Sequence, residues 1–280
     1  MKVYVNGSFV QAEEARVSVS DAGFLVGYGA FETMRAYGAK VFRIEAHLQR
    51  LNETCAVMDI PFRCDSAWAG EVIGRLLNHN DLTGARIRLT VTPGVNYGLS
   101  EPTVVVTAVP LSDGRTDIRG WSACISETRV NSRDLLLQHK TTSYVEKLLA
   151  RRAAQKKGFD EALFLNEKGC VTEGAATNIF CVLDGTLRTP PTAEGLLPGI
   201  TRTVVADIAA NSGIRLIEQP LSINDLKRSE EAFLTNSIVE IVPLIHIENE
   251  PIGDGQPGPL TVKLRQAYRD LVTLELGLGS

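Results

Sequence analysis

Lys140 lies at a junction in the stretch LLLQHKTTSYVEKLLARRAAQKKG, where a lysine could act as a nucleophile. The apolar run at 135–137 predicts a strand before it, and Ser143 and Glu146 form an S-x-x-E capping box that would start a helix after it. The helical spacing is carried by Val145, Leu148, Leu149 and Ala153. A lysine just outside a helix N-terminus meets the positive end of the helix dipole, so it loses its proton more easily and can form a Schiff base. The alternative is an ordinary solvated lysine.

A second candidate group is the Pro198-Gly199 pair directly before a helical pattern in LLPGITRTVVADIAAN. The first residues of that helix are Ile200 and Thr201. Unpaired amides at a helix N-terminus, a glycine that permits close backbone approach and a threonine hydroxyl together favour a phosphate group. The alternative is that Pro-Gly only marks the turn before the helix.

Other polar residues could complete an anion site. Thr235, Asn236 and Ser237 end the apolar strand pattern of EAFLTNSIVEIVPL, where they either donate hydrogen bonds to an anion or form an ordinary turn. Arg50, in HLQRL, lies on the polar side of the first predicted helix. Its guanidinium either faces solvent or binds a phosphate group in bidentate fashion.

Glu173 stands in EKGCVTEGAATNIF between a strand that carries Val171 and a run of small residues, 174–176. The small residues leave room for a flat ligand. A carboxylate that faces an apolar slot is costly unless it meets a cation, and a pyridinium nitrogen would supply one. The alternative is a glutamate in a hairpin turn.

The composition is that of an ordinary soluble chain. Of the 280 residues, 44% are hydrophobic and 22% are charged, and the formal net charge is -4, so no basic field indicates nucleic acid or membrane binding. The start, MKVYVNGSFV, is neither a signal peptide nor a membrane span, which predicts a cytoplasmic protein. The five cysteines contain no C-x-x-C and the four histidines no H-E-x-x-H, so we expect reduced thiols and no metal site.

Strand and helix patterns alternate along the chain, which predicts an α/β fold that positions these groups. Asn6-Gly7 predicts a hairpin, and FETMRAYGAKVFRI predicts two strands around Gly38. Helices at about 45–60 and 66–79 follow, and then strands in ARIRLTVTPG and PTVVVTAVPL, the second of them central. The polar residues 112–120 are the candidate linker between domains at 1–115 and 116–280.

The second half of the chain continues the alternation beyond the linker. The predicted elements are a strand at 121–127, a helix to about 157, strands in EALFLN and NIFCVLDGTLRTP, a helix in GITRTVVADIAANSG, a strand near 215, a helix near 224–228, a strand in EAFLTN and a terminal helix from about 260.

Six stretches resemble, in order and spacing, the class IV (fold type IV) pyridoxal-phosphate enzymes: DAGFLVGYGAFETMR, EAHLQRL, HKTTSYVEKLLARRAA, DEALFLNEKGCVTEGAATNIF, LLPGITR and FLTNSIVEIVPL. That family contains branched-chain aminotransferases, D-amino-acid aminotransferases and aminodeoxychorismate lyases. The resemblance runs from about residue 3 to the end of the chain. It implies a smaller N-terminal α/β domain, a larger C-terminal domain that binds pyridoxal 5'-phosphate, a cofactor between them, and a homodimer whose partner contributes to the substrate pocket.

The resemblance also implies roles for individual residues. Lys140 matches the lysine that holds pyridoxal 5'-phosphate as a Schiff base and then moves a proton between the substrate's α-carbon and the cofactor. Glu173 matches the carboxylate that keeps the pyridine nitrogen protonated, so that the ring acts as an electron sink. Tyr144 aligns with a tyrosine that hydrogen-bonds the phenolic oxygen of the cofactor, although its spacing from the lysine is one residue shorter here. Leu197 matches the residue on the ring face. The other cofactor-binding matches are Arg50, Asn178, Gly199, Ile200, Thr201, Asn236 and Ser237.

The choice between family members depends on the residues that bind the substrate. The D-amino-acid members carry an arginine and a histidine after a T-R-G turn, whereas this turn reads TVTPGVNYGLSEP, with Pro93 in the arginine's place. Phe31 is predicted to contact the substrate. Arg88, two residues from Arg86 in an alternating strand, is predicted to bind the substrate's carboxylate, with a surface arginine as the alternative.

These residues predict a pyridoxal-phosphate-dependent aminotransferase, which moves an amino group between an amino acid and a 2-oxo acid by a ping-pong mechanism. The alternative is a 4-amino-4-deoxychorismate lyase that releases pyruvate and 4-aminobenzoate. A third reading is a pyridoxal-phosphate carrier without turnover. The presence of both Lys140 and Glu173 argues against that reading.

Overall fold

Two compact units make up the chain in this computed structural model, which describes residues 1–95, 97, 101–111 and 119–278. The first unit comprises Met1–Gly114, His139–Tyr144 and Val272–Ser280, and the second comprises Arg115–Gln138 and Val145–Leu271. The segment with Lys140 therefore belongs to the first unit, while its chain neighbours on both sides belong to the second. Residues 112–118 of the predicted linker lie outside the described residues, as do residues 96 and 98–100 of the turn that contains Pro93.

An antiparallel sheet forms the first unit. Its strands are β1 (Lys2–Val5), β2 (Ser8–Gln11), β3 (Ala30–Tyr37), β4 (Lys40–Val41), β5 (Gly84–Thr92) and β6 (Thr103–Pro110), in the order β2-β1-β6-β5-β3-β4. The hairpin between β1 and β2 turns at Asn6 and Gly7, both with positive φ, which confirms the hairpin predicted from this pair. The apolar strand β6 pairs with β1 and β5 and is internal, as predicted.

Helices α1 (Ala22–Val26), α2 (Ile44–Val57) and α3 (Ser66–His79) belong to the first unit. The Asp65 side chain accepts a hydrogen bond from the Trp68 amide and so starts α3. Helices α2 and α3 confirm the helices predicted at 45–60 and 66–79. Helix α2 contacts β3, and α3 contacts β6. Strand β5 lies between β6 and β3 in the sheet. Every second residue of β5 is buried in the apolar core: Ala85, Ile87, Leu89 and Val91.

A second sheet forms the core of the other unit. Its strands are β7 (Trp121–Val130), β8 (Glu161–Asn166), β9 (Val171–Gly174), β10 (Asn178–Leu183), β11 (Thr186–Thr189), β12 (Leu216–Glu218), β13 (Glu231–Asn236), β14 (Glu240–Ile247) and β15 (Glu250–Pro251). The order is β12-β11-β10-β13-β14-β7-β8-β9, with β15 paired to β14. Strands β7 and β8 are parallel, which requires a crossover connection between them.

The helices that begin in the second unit are α4 (Val145–Lys156), α5 (Ile200–Asn211), α6 (Ile223–Lys227) and α7 (Pro259–Leu276). Each confirms a helix predicted from the sequence, and β8 and β13 coincide with the predicted strands EALFLN and EAFLTN. The sequence pattern does not predict β14, because Pro243 stands within it and proline cannot donate to a strand ladder. Among the described residues, no helix has the length and apolar character needed to cross a membrane.

The junction around Lys140 differs from its sequence-based prediction. Residues 135–137 belong to a 3-10 helix, Leu135–Gln138, and the predicted strand is wrong; Leu135 is 67% exposed, so no sheet buries it. Helix α4 begins at Val145, one residue later than a cap at Ser143 requires, and the Ser143 hydroxyl donates to the carbonyl oxygen of Gly27 at 3.1 Å. Helix α4 packs through Ala154, whereas its larger apolar residues are exposed: Val145, Leu148 and Leu149.

Candidate active site

Lys140 lies in a short segment of the first unit that pairs with the beginning of β3. The Phe31 amide donates to the Lys140 carbonyl oxygen at 2.9 Å, and the Thr142 amide donates to the Gly29 carbonyl oxygen at 2.8 Å. These two bonds hold the backbone at Lys140 and just beyond it. The pairing with β3 therefore sets the position of the Lys140 backbone, and the Lys140 side chain is half-buried.

Two aromatic rings surround the amine of Lys140. Its Nζ atom lies 4.6 Å from the ring centroid of Phe31 and 6.0 Å from that of Tyr144. The two rings meet edge to face, with centroids 5.8 Å apart and an interplanar angle of 90°. Ring faces attract cations, so these contacts hold the amine in place. The first unit thus brings together three predicted site residues.

Arg88 contacts the same phenylalanine from β5. Its Cζ atom lies 3.8 Å from the Phe31 ring centroid, and its Nε donates to Thr90 Oγ1 at 3.2 Å. Because strand side chains alternate, Arg86 lies on the same sheet face, so the strand alone does not select one arginine. In the part of the chain that the structure describes, Arg88 forms no ion pair with a carboxylate. Its guanidinium is therefore suited to bind the carboxylate of a ligand.

Arg50 is buried on α2, with 9% of its surface exposed, so it does not lie on a solvated helix face. Its Nε donates to Glu32 Oε1 at 2.7 Å, and its Nη2 donates to Oε2 at 2.8 Å. His47 lies on the same side of the helix, with Nδ1 2.7 Å from Glu32 Oε2. Glu32, on β3 beside Phe31, therefore fixes the plane of the Arg50 guanidinium by a bidentate pair.

Burial determines the charges in this cluster of Glu32, His47 and Arg50. Burial by itself would raise the pKa of Glu32, but the charge of Arg50 and the hydrogen bonds from Arg50 and His47 lower it well below its ordinary value. Burial lowers the pKa of His47 below its ordinary value of 6.5, and Glu32 offsets this only in part. His47 is therefore neutral at pH 7. Because an ionised carboxylate only accepts hydrogen bonds, Nδ1 of His47 carries the proton donated to Glu32.

Glu173 is buried near the end of β9 in the second unit, and both of its oxygens have donors. Lys147 Nζ, from α4, donates to Oε1 at 2.6 Å, and the Leu197 amide donates to Oε2 at 3.1 Å. Asn178 Nδ2 donates to the Leu197 carbonyl oxygen at 2.9 Å and lies 3.5 Å from Glu173 Oε2. Lys147 thus supplies the cation that a buried glutamate requires. Hydrogen bonds bring together three residues predicted to bind the cofactor, Glu173, Asn178 and Leu197.

The N-terminus of α5 lies against the same cluster. Gly199 is the N-cap, with φ -71° and ψ 137°, and Ile200 and Thr201 form the first turn. A Cβ atom at Gly199 would lie 1.9 Å from Oδ1 of Asn178, so only glycine fits at this position. Asn178 therefore joins the Glu173 cluster to the first-turn amides, which are suited to an anion.

The end of β13 supplies the other predicted anion-binding residues. Thr235 pairs with Asn178 across the sheet, so the two side chains share a face, and Thr235 Oγ1 is buried without a hydrogen-bond partner among the described residues. Asn236 Oδ1 accepts from the amides of Ile238 and Val239, each at 2.8 Å, and its Nδ2 donates to the Ala176 carbonyl oxygen at 2.9 Å. The Asn236 side chain thus shapes the turn that presents Ser237.

Sequence reasoning does not find Glu32, His47 and Lys147. Glu32 stands in a strand pattern, where a single carboxylate carries no sign of burial. The spacing of His47 and Arg50 on one helix side is a weak signal that both face the same partner. Lys147 belongs to the polar side of the α4 pattern, and its sequence context does not identify Glu173 as its partner.

The cysteines and the metal-ligating residue types add no further site among the described residues. Within the described ranges, no group of three or more His, Cys, Asp or Glu residues is arranged to hold a metal ion. The five cysteines are free thiols. Burial raises the pKa of Cys55 and of Cys181 to about 12, so neither is a reactive thiolate at neutral pH.

Comparisons with known proteins give consistent matches over nearly the whole chain. The family model described as amino-transferase class IV matches residues 29–247. The "Putative branched-chain-amino-acid aminotransferase" of Methanocaldococcus jannaschii is 37% identical over 281 residues, which cover 98% of this chain and 97% of that protein. The D-alanine aminotransferase of Listeria monocytogenes is 30% identical, over 99% of this chain and 98% of that protein. The solved structure of the branched-chain amino acid aminotransferase of Escherichia coli is similar with a TM-score of 0.90 and 30% identity, over 96% of this chain and 94% of that one.

Proposed function

Because the chain belongs to the class IV aminotransferases, we propose that Lys140 is the residue that binds pyridoxal 5'-phosphate covalently. The fold type IV architecture and the enzyme class predicted from the sequence are confirmed: the protein is a pyridoxal-phosphate-dependent aminotransferase, which moves an amino group between an amino acid and a 2-oxo acid. The relatives favour this activity over the lyase alternative.

Two features of the second unit support a role in binding the cofactor's phosphate. Thr235 Oγ1 is a buried hydroxyl oxygen without a partner among the described residues, and Gly199 permits an approach to Asn178 that a Cβ would block. The first-turn amides of α5 add donors beside them. When bound, pyridoxal phosphate accepts the amino group and stabilises the electron pair that remains after the substrate's α-carbon loses its proton.

The second unit supplies most of the proposed cofactor-binding residues, and we equate it with the larger, cofactor-binding domain. Glu173 holds the proton of the ring nitrogen, and Leu197 packs against the ring. The residues proposed to bind or surround the phosphate are Asn178, Gly199, Ile200, Thr201, Asn236 and Ser237. Glu173, Asn178 and Leu197 support these roles because hydrogen bonds join them in one cluster, as the family resemblance implies.

The first unit supplies the reacting amine. The observation that carries its assignment is that Lys140 is fixed to β3 with Nζ 4.6 Å from the Phe31 ring centroid, beside Tyr144. Once released from the cofactor, this amine takes the proton from the substrate's α-carbon and returns it, as a general base and acid. Tyr144 hydrogen-bonds the phenolic oxygen of the cofactor. Arg50 binds the phosphate group with a guanidinium that Glu32 has already oriented.

A branched-chain amino acid is the proposed amino donor. Arg88 binds the carboxylate of this amino acid, and Phe31 contacts its apolar side chain. Arg88 and Phe31 lie against each other, so one bound amino acid can reach both. Pro93 replaces the arginine of the D-amino-acid members, so the resemblance favours the L-specific, branched-chain type. In the first half-reaction the donor leaves as a 2-oxo acid, and in the second another 2-oxo acid takes the amino group and leaves as an amino acid.

Chemical trapping tests the assignment of Lys140. Borohydride reduction of the holoenzyme, followed by peptide mapping, should place a stable pyridoxyl label on Lys140. The matched control is Lys156→Gln, at an exposed lysine of the same stretch, which should leave the label on Lys140. A label on any other lysine contradicts the assignment.

Steady-state kinetics test the proposed role of Arg88. Arg88→Ala should raise the apparent binding constants for the amino acid and the 2-oxo acid alike, because one carboxylate site serves both half-reactions. Loss of a charged hydrogen bond costs about 1.5–3 kcal/mol, which corresponds to roughly a tenfold to hundredfold rise. The control is Arg86→Ala on the same sheet face, and equal effects of the two variants would remove Arg88 from this role.

A homodimer is the proposed assembly. Within the first unit, exposed apolar side chains cluster on and near α1: Val19, Phe24, Leu25 and Val26. Within the second unit, α4 exposes Val145, Leu148 and Leu149. Such patches mark interaction surfaces, and a second copy is the partner that the family resemblance implies. In light scattering, Leu148→Glu combined with Leu149→Glu should give monomers, whereas Leu274→Glu, at an exposed leucine of α7 that is not among these residues, should leave dimers.

The proposed location is the cytoplasm. Its support is that all five cysteines are free thiols, including the half-buried Cys64 and Cys170, as expected in a reducing compartment. Cell fractionation with antibodies against the native protein tests this location, and enrichment outside the cytoplasmic fraction would contradict it.

A further inference from the structure

Glu173 makes its shortest described contact with Lys147, a residue that has no part in the proposed function. The Nζ–Oε1 distance is 2.6 Å, and the two side chains are 20% and 6% exposed. The surface pair of Lys157 and Glu127, by contrast, is 56% and 91% exposed. Because water screens the buried pair far less than the surface pair, the electrostatic attraction between the Lys147 ammonium and the Glu173 carboxylate is stronger.

The Glu173 carboxylate is held from two directions. Lys147 approaches Oε1 from α4, and the Leu197 amide donates to Oε2 from the segment before α5. Glu161, on β8, lies beneath the turn that follows Glu173 and accepts from the Ala176 amide at 3.4 Å. Burial raises the pKa of Glu161, and Arg151, on α4, opposes this rise. Lys147, Glu161 and Arg151 are thus charged groups around the turn in the described structure, and Lys147 is the one that forms a described ion pair with Glu173.

We propose that Lys147 shares the Glu173 carboxylate with the ring nitrogen of the cofactor and weakens that nitrogen's hold on its proton. The proposal rests on the proposed role of Glu173. A carboxylate beside the ring nitrogen favours the protonated ring, whereas an ammonium on the same carboxylate neutralises part of its charge and repels the protonated ring. Lys147 is therefore a positioning residue: it acts through Glu173 and sets how strongly the ring withdraws electrons.

Charge and hydrogen bonding can be separated at position 147. Lys147→Gln keeps a hydrogen-bond donor and removes the charge, whereas Lys147→Arg keeps the charge. Lys156→Gln, at an exposed lysine of the same helix, is the matched control. Each holoenzyme is reconstituted with isotope-labelled pyridoxal phosphate, and nitrogen NMR follows the ring nitrogen as the pH is raised.

The expected result is that Lys147→Gln raises the pKa of the ring nitrogen by about one unit or more, a tenfold tighter hold on the proton. Lys147→Arg and Lys156→Gln should keep the parent's value. An unchanged or lowered ring pKa in Lys147→Gln would overturn the proposal. Lys147→Met is a second uncharged variant with the same expected rise, and if neither uncharged variant folds, Lys147 serves the fold and the proposal fails.

Glu173→Gln separates failure of this proposal from failure of the proposed function. If Glu173 holds the ring proton, its amide variant should lower the ring pKa strongly while the cofactor remains bound. A ring nitrogen unaffected by Glu173→Gln would remove Glu173 from its proposed role. A ring nitrogen that responds to Glu173→Gln but not to Lys147→Gln would leave that role intact and refute only the inference about Lys147.

Discussion

Glu32 in the first unit and Glu173 in the second are both buried carboxylates paired with a cation, but their pairs have different geometry. Glu32 receives two hydrogen bonds from Arg50 and one from His47. Glu173 receives one from the ammonium of Lys147, one from the Leu197 amide and a longer one, at 3.5 Å, from Asn178. A guanidinium is a planar fork that a carboxylate can orient, whereas an ammonium is a point charge on a flexible stem.

The difference indicates that the two pairs work in opposite directions. In the first unit the carboxylate fixes the cation, and Arg50 is the member proposed to meet the cofactor. In the second unit the cation modifies the carboxylate, and Glu173 is the member proposed to meet the cofactor. Removal of Glu32 should therefore disturb the geometry of Arg50 and the stability of the protein, whereas removal of Lys147 should change the charge around Glu173.

The largest effect is expected from Glu32→Ala. It leaves the buried Arg50 guanidinium without its bidentate partner, and loss of one partner of a buried pair costs about 3–5 kcal/mol of unfolding free energy. Urea denaturation of the cofactor-free protein measures this loss. The control, Glu14→Ala at an exposed position, should change stability by less than about 0.5 kcal/mol. A loss no larger than the control's would show that Glu32 is not the anchor of this cluster.

Glu173→Gln should act on rate more than on stability. The amide keeps an acceptor for its neighbours but cannot hold the ring proton. The activation barrier for loss of the substrate's α-proton should therefore rise by about 2–4 kcal/mol, which slows this step roughly 30-fold to 1,000-fold. Stopped-flow absorbance of the first half-reaction measures the rate. Glu127→Gln, at a side chain that is 91% exposed, is the control. An unchanged rate would make Glu173 a structural residue and end the contrast with Glu32.

Reciprocal exchange of the two cations sharpens the comparison. Arg50→Lys keeps the charge but cannot form the bidentate pair, so cofactor affinity should fall about tenfold, a cost near 1.4 kcal/mol. Lys147→Arg keeps the charge that Glu173 requires and should bind the cofactor with the parent's affinity. Titration of the cofactor-free proteins with pyridoxal phosphate gives both constants. Equal losses in the two variants would mean that both sites depend on the shape of the cation.

The smallest effect is a pH dependence from His47. Burial lowers its pKa below 6.5 in the folded protein, so between that pH and the lowered value the unfolded chain binds a proton that the folded chain does not. The unfolding free energy should therefore fall as the pH falls below 6.5, by at most about 1.4 kcal/mol per pH unit. Glu32, whose folded pKa is also lowered, adds its loss only below its ordinary value of 4.5.

Denaturation at pH 7 and at pH 5 measures the His47 contribution. His47→Asn should flatten the dependence between these values, whereas His79→Asn, at an exposed histidine, should retain it. If the dependence persists in His47→Asn, another group causes it, and the buried histidine does not distinguish the Glu32 cluster from the Glu173 cluster.

The sequence by itself determined most elements and the family. Helix α3 and strands β8 and β13 coincide with their predictions because local patterns specify them: a run of apolar residues, an aspartate cap or an Asn-Gly turn acts within a few residues. The motifs that resemble the class IV enzymes are local in the same sense, and the comparisons confirm the family. The residue roles taken from those motifs remain predictions for the experiments above.

Only the tertiary structure decided which charges are buried and with which partners. Glu32 and Arg50 are 18 residues apart in the chain, and Lys147 and Glu173 are 26 apart, so no local pattern relates either pair. The same limit explains the wrong strand at 135–137: its leucines have strand-like composition, but they form a 3-10 helix and pair with none of the described strands. Burial and pairing depend on segments that meet only in the folded chain, and their cost or gain is set by the surroundings that folding creates.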